Sequence, residues 1–350
     1  METTIKKMNP SPVSTYRWLG MNDYTLDKEQ FHSKKDHTQI KVTGEEQIKV
    51  LSINNKKDYL PSRAPMGEEF RTYVDGQVEG LKQVIVDQSC EEPIIYDYTL
   101  NNESLYEKSE IIFEKDVDAT LIFIYRGIGT HMGIQEITTH PGSKGTVIHI
   151  HLLENQSLEA LETIVAAKKD SKVNVISVLM GDDRIIDNIN IQLEDKAKGN
   201  IQGLYLQGGN SQLDMNYVLT HVGELSESNM DIKGVLDDQA KKTFRGSIDF
   251  KKGASHSKGR EKEEVLLLSE QVRNKAMPLI LCAEDDVSGE HAASCGRIDE
   301  DKLFYLMSRG FSMEHSKRMI VEGSFHPILD LIPSEIVVEE LIDMIQRRMS

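Results

Sequence analysis

The chain has 350 residues, of which 39% are hydrophobic, so it can bury a sizeable core without a metal or disulfide staple. Acidic residues outnumber basic residues by 57 to 41, and the formal net charge of −16 excludes nucleic acid or an anionic membrane as a default partner. Three cysteines without a C-x-x-C pair, and no apolar run of about 18 residues, favour a cytoplasmic protein without a membrane span.

Residues 1–70 are polar and carry the proline-containing segments "NPSPVS" and "PSRAP". Such segments are typical of turns and loops rather than of regular elements. We therefore expect a partly ordered N-terminal region over 1–70.

Residues 71–297 have the pattern of a β-rich core. Short apolar runs such as "ATLIFIYR" and "VNVISVLM" alternate with turns rich in Gly, Asn and Asp. Successive runs open at Ile201, Leu213, Met230 and Thr243, a spacing of about 12 to 17 residues that is typical of stacked rungs. This spacing predicts a β-solenoid or a large sandwich and leaves both open.

Two polar patterns within this core have competing interpretations. In "VIHIHLL", His149 and His151 share one strand face and Ile148 and Ile150 the other. A histidine pair on one face is able to chelate a metal, but we expect an exposed polar face, which has the same pattern. The run "KGREKEEV" mixes charges before "LLLS" and predicts a solvated edge.

Residues 298–350 change to a helical period. Asp299 is placed to cap a first helix, which Gly310 ends. Ser312 is placed to cap a second helix that runs to about Glu322, and Ser334 a third. One face of the third helix is apolar, with Val338, Leu341, Ile342, Ile345 and Met349.

The stretch "EDDVSGEHAASC", residues 284–295, holds the densest group of polar side chains. Its members of interest are Asp285, Asp286, Glu290 and His291. A solvated turn between a buried strand "PLILC" and the first helix cap explains them. A closed metal cage is disfavoured, because Cys282 and Cys295 are far apart in sequence and only His291 supplies an imidazole nearby. No Walker A, G-x-S-x-G or G-x-G-x-x-G motif is present.

Three segments taken together resemble the SufB/SufD family of iron–sulfur cluster assembly proteins. They are "IKGVLDDQAKKTFRGSIDFKKGA", "EEVLLLS" and "EDDVSGEHAASCGRIDEDKLFYLMSRG". The resemblance covers roughly residues 140–350. It implies a mainly β fold, with a right-handed parallel β-helix core at 71–297 and a small α-helical C-terminal domain at 298–350. It also implies two partners, a SufB-like scaffold and a SufC-like ATPase.

The resemblance also assigns roles to individual residues. It places a cluster-assembly interface at His291, Glu290, Asp285 and Asp286, where the imidazole is able to bind iron transiently. The segment "DEDKLFYLMSRG" matches the start of the helical domain of the family. The candidates for the ATPase dock are therefore Leu303, Phe304, Tyr305 and Arg309, although their helical spacing also permits purely internal packing.

Two departures from the SufB pattern favour a SufD-like subunit. Glu263 and Glu264 stand where SufB carries its essential cysteine, and Ala292 stands where SufB has a glutamate after the histidine. Carboxylate is a poor replacement for thiolate, so we expect no stably bound cofactor in the isolated chain and a transient iron–sulfur cluster in the complex.

Alternatives remain at this point. Cys282 and Cys295 are able to supply thiolates for metal, which keeps open a stand-alone SufB-like scaffold that works as a homodimer with SufC. A β-helix enzyme acting on polysaccharide is disfavoured by the 6% aromatic content, which is low for sugar stacking. We therefore expect a protein that is not an enzyme.

Overall fold

The computed structural model describes residues 4–13, 17–28, 31–32, 38–53 and 65–349. The first elements are β1 (Thr4–Met8), β2 (Tyr24–Asp27), β3 (Gln39–Thr43), β4 (Lys49–Ile53), α1 (Glu68–Gln77), β5 (Leu81–Val86), β6 (Ile94–Phe113) and β7 (Asp118–Thr139). The strands that follow are β8 (Lys144–Leu153), β9 (Leu158–Ala167), β10 (Lys172–Leu179), β11 (Arg184–Leu193), β12 (Lys198–Gln207), β13 (Gln212–His221), β14 (Glu227–Leu236), β15 (Lys241–Phe250), β16 (Lys258–Leu267), β17 (Arg273–Cys282) and β18 (Ser288–Arg297). The chain ends with α2 (Glu300–Ser308), α3 (Met313–Leu329) and α4 (Glu335–Arg348).

Strands β7 to β18 wind into a parallel β-solenoid with two sheets. The even-numbered strands β8 to β18 stack in sheet A and the odd-numbered strands β9 to β17 in sheet B, while the two halves of β7 join one sheet each. Partners stay in register from turn to turn, as Lys144, Lys172 and Lys198 do. The predicted solenoid is confirmed and the sandwich is excluded; the right-handed sense stays a prediction.

The two ends of the solenoid differ. At the first end, β6 lies along β7 and β5 along β6, and the antiparallel strands β3 and β4 pair with β6 and β5. At the second end, β17 pairs with β15 and β18 with β16, and no described strand stacks on either. The first end is therefore capped by antiparallel strands, and the second, which we call the open end, is not.

Helices α3 and α4 cover the outer face of sheet A. Ile148 and Ile150 belong to one buried apolar cluster with Phe325 of α3. The guanidinium of Arg126 donates to Glu340 of α4 at 2.5 Å, which ties the helix to the sheet. From β8 to β14, sheet A therefore has apolar residues buried on both faces, in the lumen of the solenoid and beneath the helices.

The N-terminal elements cover the outer face of sheet B. Arg71 of α1 donates to Glu136 and to Glu162, both at 3.1 Å. Arg245 of β15 is fully buried, and its Nε donates to the carbonyl oxygen of Met21 at 2.5 Å. These buried arginines hold the N-terminal chain against the sheet by charge-assisted and backbone hydrogen bonds.

The prediction of an exposed face at His149 and His151 is wrong. Both side chains are fully buried and point into the lumen, while Ile148 and Ile150 face outward beneath the helices. Both faces of β8 are covered. Strand alternation therefore separates its side chains into two faces but does not indicate whether either face meets solvent. Each histidine has a polar neighbour, since His149 Nε2 contacts Gln135 at 2.8 Å and His151 lies 2.8 Å from Glu159.

The lumen holds a buried acid–imidazole cluster next to these histidines. His131 Nδ1 lies 3.0 Å from Glu159 and its Nε2 lies 3.1 Å from Glu107. Burial by itself lowers the pKa of His131, but the hydrogen bonds and charges of the two glutamates outweigh burial and raise its pKa to about 9. The imidazole is therefore protonated at neutral pH.

The free energy of unfolding is expected to fall as the pH rises from about 6.5 to about 9. The folded-state pKa of His131 lies above its ordinary value of 6.5, so the stabilisation is complete below pH 6.5 and is lost as the pH passes 9. At 1.36 kcal/mol per pKa unit, the loss is about 3 kcal/mol. Urea unfolding across this range measures it, with a flatter profile expected for His131→Gln.

A matched control exists in His221, which is also buried but whose ring nitrogens contact hydroxyl groups, those of Ser226 at 2.7 Å and Ser228 at 2.8 Å. Burial lowers its pKa to about 4, so His221 is neutral throughout the tested range. His221→Gln should therefore keep the wild-type pH profile. The same profile in His131→Gln would contradict the assignment.

The predicted caps Asp299 and Ser312 are confirmed, whereas Ser334 precedes α4 without a side-chain capping hydrogen bond. The Asp299 side chain accepts from the amides of Asp301 and Lys302, and Ser312 accepts from a backbone amide of α3. Gly310 has φ +96 directly after α2, a conformation that glycine adopts without steric cost. The predicted end of the second helix at Glu322 is wrong, since α3 continues to Leu329. None of the described helices has the length and hydropathy that a membrane span requires.

The N-terminal region contains regular structure where it is described, namely β1 to β4. The predicted partial order over 1–70 also covers residues 1–3, 14–16, 29–30, 33–37 and 54–64, which lie outside the described residues. The divisions at residues 70 and 297 stay predictions as domain boundaries. The first falls within α1, and the second falls between β18 and α2.

Candidate functional site

The stretch "EDDVSGEHAASC" spans a turn and the last strand of the solenoid. Asp285 and Asp286 lie in the turn between β17 and β18, whereas Glu290 and His291 lie within β18. The prediction of one polar turn between a strand and the first helix is therefore wrong. The prediction of a buried strand at "PLILC" is also wrong, because those residues of β17 are half-buried or exposed. Both differences arise because this is the open end, where no strand of the described residues stacks on the last turn.

The acidic residues of the turn have structural partners. Asp286 accepts from the His256 backbone amide at 2.6 Å, and its carboxylate lies 2.8 Å from the His256 ring. Glu284 accepts from the amide of Gly253 at 2.9 Å. These contacts link the turn to the previous turn of the solenoid. The structure does not bring Asp285 and Asp286 together with His291 into one site.

His291 and Cys295 lie on the lumen side of β18. Their partners in β16 are Glu261 and Val265, both buried, and register partners in a parallel sheet present their side chains on the same face. Cys282 also lies on the lumen side, as the partner of buried Phe250. We call these three exposed residues, His291, Cys282 and Cys295, the rim of the open end.

Glu290 lies on the opposite, outward face of β18, and its partner is Arg260. It is exposed, like every residue of β18. Within the described residues, no three His, Cys, Asp or Glu side chains converge as a metal site. The rim therefore provides separated donors rather than a closed cage.

A buried ion pair lies beneath the rim, and sequence reasoning missed it. Lys242 Nζ of β15 is 2.5 Å from Glu263 Oε1, which also accepts from the Tyr205 hydroxyl at 3.1 Å. Lys242 and Glu263 are 1% and 2% exposed, so the predicted solvated edge at "KGREKEEV" is wrong on the lumen face of β16. Burial lowers the pKa of Lys242, and the charge of Glu263 opposes this effect.

The outward face of β16 does meet solvent, as predicted. Lys262 and Glu264 point outward, are partly exposed and lie 3.0 Å apart. The strict alternation of "GREKEEV" is the signal that separates the two faces, since Gly259, Glu261, Glu263 and Val265 fall on one side.

Glu261 is the second buried carboxylate beneath the rim. It is 3% exposed, and its Oε2 has no hydrogen-bond partner. Burial, followed by the charge of Glu263, raises the pKa of Glu261 to about 8. The side chain reaches across the lumen to Gly246 of β15, where a Cβ would lie 1.9 Å from Glu261 Oε1. Only a glycine at 246 leaves room for this carboxyl group.

Leu303, Phe304 and Tyr305 lie on α2, which has no buried residue, and Arg309 directly follows this helix. Phe304 is 74% exposed and Tyr305 is 56% exposed, so an internal packing role is wrong for both. The guanidinium of Arg309 lies 5.1 Å from the Tyr305 ring centroid, and Leu303 is half-buried. Exposed apolar residues nearby extend the patch, namely Met307, Phe311 and Met313. Large exposed aromatic groups of this kind are typical of protein interaction surfaces.

Comparison with known proteins places this architecture in a family. The SUF system FeS cluster assembly SufBD core domain matches residues 97–324. SufD of Bacillus subtilis is 34% identical over 184 residues, which cover 52% of this chain and 42% of that protein. SufB of the same organism is 23% identical over 257 residues, which cover 71% and 55%. A SufBD family protein of Mycobacterium leprae is 25% identical over 242 residues, which cover 67% and 62%.

The matched domain extends from β6 into α3 and includes the open end, the rim and α2. The chain spans less than two thirds of the length of each of these relatives. The family domain nevertheless covers more than half of this chain. The chain therefore belongs to the SufBD family of iron–sulfur cluster assembly proteins of the SUF system.

Proposed function

We propose that this chain is the SufD-like subunit of a SUF assembly complex. It pairs through its open end with a SufB-like scaffold, docks a SufC-like ATPase through α2, and helps to build and transfer nascent iron–sulfur clusters. The cluster is cargo held between chains, and the chain acts by binding rather than as an enzyme. The three free cysteines fit a reducing cytoplasm.

The observation that carries this proposal is the contrast between the two ends of the solenoid. The capped end is closed by β3 and β4, whereas β17 and β18 present their outer backbone edges with no described strand beside them. An unpaired edge of this length is a template for strand addition by another chain, and monomeric proteins usually protect such edges. A second solenoid of the same family has the shape needed to cover it.

The position of Glu263 supports a SufD-like rather than a SufB-like role. Its carboxylate is already bound by Lys242 and Tyr205, so it is not a free ligand for iron. A cluster on the isolated chain would depend on the rim, whose donors do not converge. The higher identity with SufD than with SufB of Bacillus subtilis points the same way.

A second candidate function rests on the two rim cysteines. Cys282 and Cys295 are free, exposed and on the lumen side with His291, so thiolates are available for a cluster. Two copies of the chain facing each other would then form a stand-alone scaffold that works with SufC. This homodimer is the alternative that the following experiment distinguishes.

We expect the chain to co-elute with a SufB-like protein and a SufC-like ATPase in size-exclusion chromatography. After anaerobic reconstitution with iron and sulfide, the isolated chain should show little visible charge-transfer absorbance, and the three-component mixture should show much more. Phe304→Ser should lose the ATPase but keep the SufB-like partner, because the exposed ring contributes contact area and not core packing.

The matched control is Ile336→Ser on α4, since Ile336 is also apolar and 80% exposed but lies outside α2. It should retain both partners. Full cluster loading of a homodimer without the SufB-like protein would support the second candidate instead. Retained ATPase binding by Phe304→Ser would place the dock elsewhere.

A further inference from the structure

Glu261 is an exception among the buried glutamates of the chain. Each of the others has a partner, since Glu103 accepts from Thr38, Glu159 contacts two histidines, Glu162 binds Arg71 and Glu263 binds Lys242. Glu159 Oε2 is also unpaired, but its Oε1 contacts two histidines, whereas neither oxygen of Glu261 has a partner within the described residues, although Glu261 is only 3% exposed. An unpaired buried carboxyl group costs stability, and such exceptions in native structures frequently mark a functional position.

The position of Glu261 relates it to His291. The two residues are register partners on neighbouring strands, with Glu261 one turn below the open end and His291 on the last turn. Neighbouring strands lie about 4.8 Å apart. A transition metal binds imidazole nitrogen and carboxylate oxygen at roughly 2.0–2.2 Å, so its ligand atoms are typically about 3–4 Å apart. A stacked His–Glu pair is therefore able to bind one metal ion once the Glu261 carboxyl group, which lies against Gly246, turns toward His291.

We propose that Glu261 and His291 together form one half of a ferrous-iron site at the open end. This inference rests on the proposed function and adds the carboxylate ligand to it. One imidazole and one carboxylate suit iron(II) but leave most of its coordination sphere empty. The partner chain that covers the open end supplies the remaining ligands, so the site is complete only in the assembled pair.

Gly246 is part of this arrangement. A side chain at position 246 would occupy the place of Glu261 Oε1, and the carboxyl group would have to leave the lumen centre. The alternative is that Glu261 has only a packing role and fills space in the lumen. That role requires the shape of the side chain but not its carboxylate, so Glu261→Gln separates the two.

The test is anaerobic titration of the full chain paired with its SufB-like partner, with Co²⁺ as a spectroscopic probe for Fe²⁺. Glu261→Gln and His291→Ala are each expected to weaken Co²⁺ binding by at least roughly tenfold, as loss of a metal-supporting group typically does. The matched control is Glu227→Gln, because Glu227 is a glutamate of sheet A whose exposed side chain pairs with Lys198 on the outer surface. It should bind Co²⁺ like the wild type.

The thermal unfolding midpoint is a second measurement, and it would change in Glu261→Gln if the role of Glu261 were structural. As a ligand, Glu261 contributes no packing that glutamine lacks, so Glu261→Gln should unfold at or above the wild-type temperature. If that variant does not fold, Glu261→Asp keeps the carboxyl group, withdraws its oxygens by one methylene and should show the same loss of Co²⁺ binding.

The outcomes distinguish this inference from the proposed function. Wild-type Co²⁺ affinity in Glu261→Gln, with loss in His291→Ala, would overturn the role of Glu261 and leave the assembly function standing. Unchanged binding in His291→Ala, or no binding by the wild-type pair, would overturn both the half-site and the iron-binding role of His291. Loss in both variants with unaffected Co²⁺ binding in Glu227→Gln supports the half-site.

Discussion

Removal of residues 299–350 is expected to leave a chain that no longer unfolds cooperatively. The deletion uncovers the outer face of sheet A, where the helices bury Ile122, Ile148, Ile150, Leu204 and Val235 among others. Each fully buried apolar side chain of this size contributes about 1.5–3 kcal/mol. Exposing these five side chains costs about 7–15 kcal/mol, which is as large as the net stability of a typical domain, about 5–15 kcal/mol.

The measurement combines a circular-dichroism melt, size-exclusion chromatography and binding of a hydrophobic dye. We expect aggregation or strong dye binding without a sharp melting transition. A truncated chain that melts cooperatively near the wild-type temperature would show that the solenoid is stable without its helices.

Two phenylalanines test whether α3 covers sheet A while α2 provides the dock. Phe325 of α3 is fully buried against sheet A, whereas Phe304 of α2 is 74% exposed. Phe325→Ala should cost about 3–5 kcal/mol of stability, as buried phenylalanine truncations do. Phe304→Ala should change stability by no more than about 0.5 kcal/mol. Equal effects of the two substitutions would contradict the division of roles between α3 and α2.

Lys242→Met is expected to destabilise the chain by about 3–5 kcal/mol, the usual cost of leaving one member of a buried ion pair uncompensated. Glu263 is 2% exposed, and after the substitution the hydroxyl of Tyr205 would be its remaining donor. The double variant Lys242→Met with Glu263→Leu should recover most of the loss, because it removes both charges and keeps apolar volume in the lumen. Urea unfolding at neutral pH measures all three proteins.

The control is Lys262→Met in the neighbouring strand β16. Lys262 pairs with Glu264 at 3.0 Å, but both side chains are more than a third exposed, at 35% and 40%. Surface ion pairs contribute about 0–1 kcal/mol, so a small change is expected. If Lys242→Met were as mild as Lys262→Met, the whole of "KGREKEEV" would behave as the solvated edge that its composition predicts.

The starts of the C-terminal helices could be predicted from the sequence because capping residues act locally. Asp299 and Ser312 accept from backbone amides two or three residues away, so a cap depends little on the rest of the fold. The end of α3 could not be predicted in this way. It continues to Leu329 because Phe325 and Leu329 pack on sheet A, and that contact exists only once the solenoid is wound.

The rim was only partly predictable. His291 was found through its motif, and Cys282 and Cys295 through their residue type, but neither signal places them on one side of the lumen. Phe304 and Tyr305 were found as well, yet their exposure could not be read from helical spacing. Glu261 was missed because an isolated glutamate in a charged run resembles a solvated surface residue.

The amino-acid sequence by itself determined the repeating strands, the change to helices near residue 298 and the two faces of each strand, because these depend on local period, turns and caps. Only the tertiary structure decided which face is inside. Strand β18, "SGEHAASCGR", has little β-propensity and is a strand because β16 supplies its hydrogen-bonding partner. Strand β18 is exposed, Glu261 is buried beneath it and the rim lies at the open end because β18 is the last strand of its stack. That position depends on contacts between residues far apart in the chain.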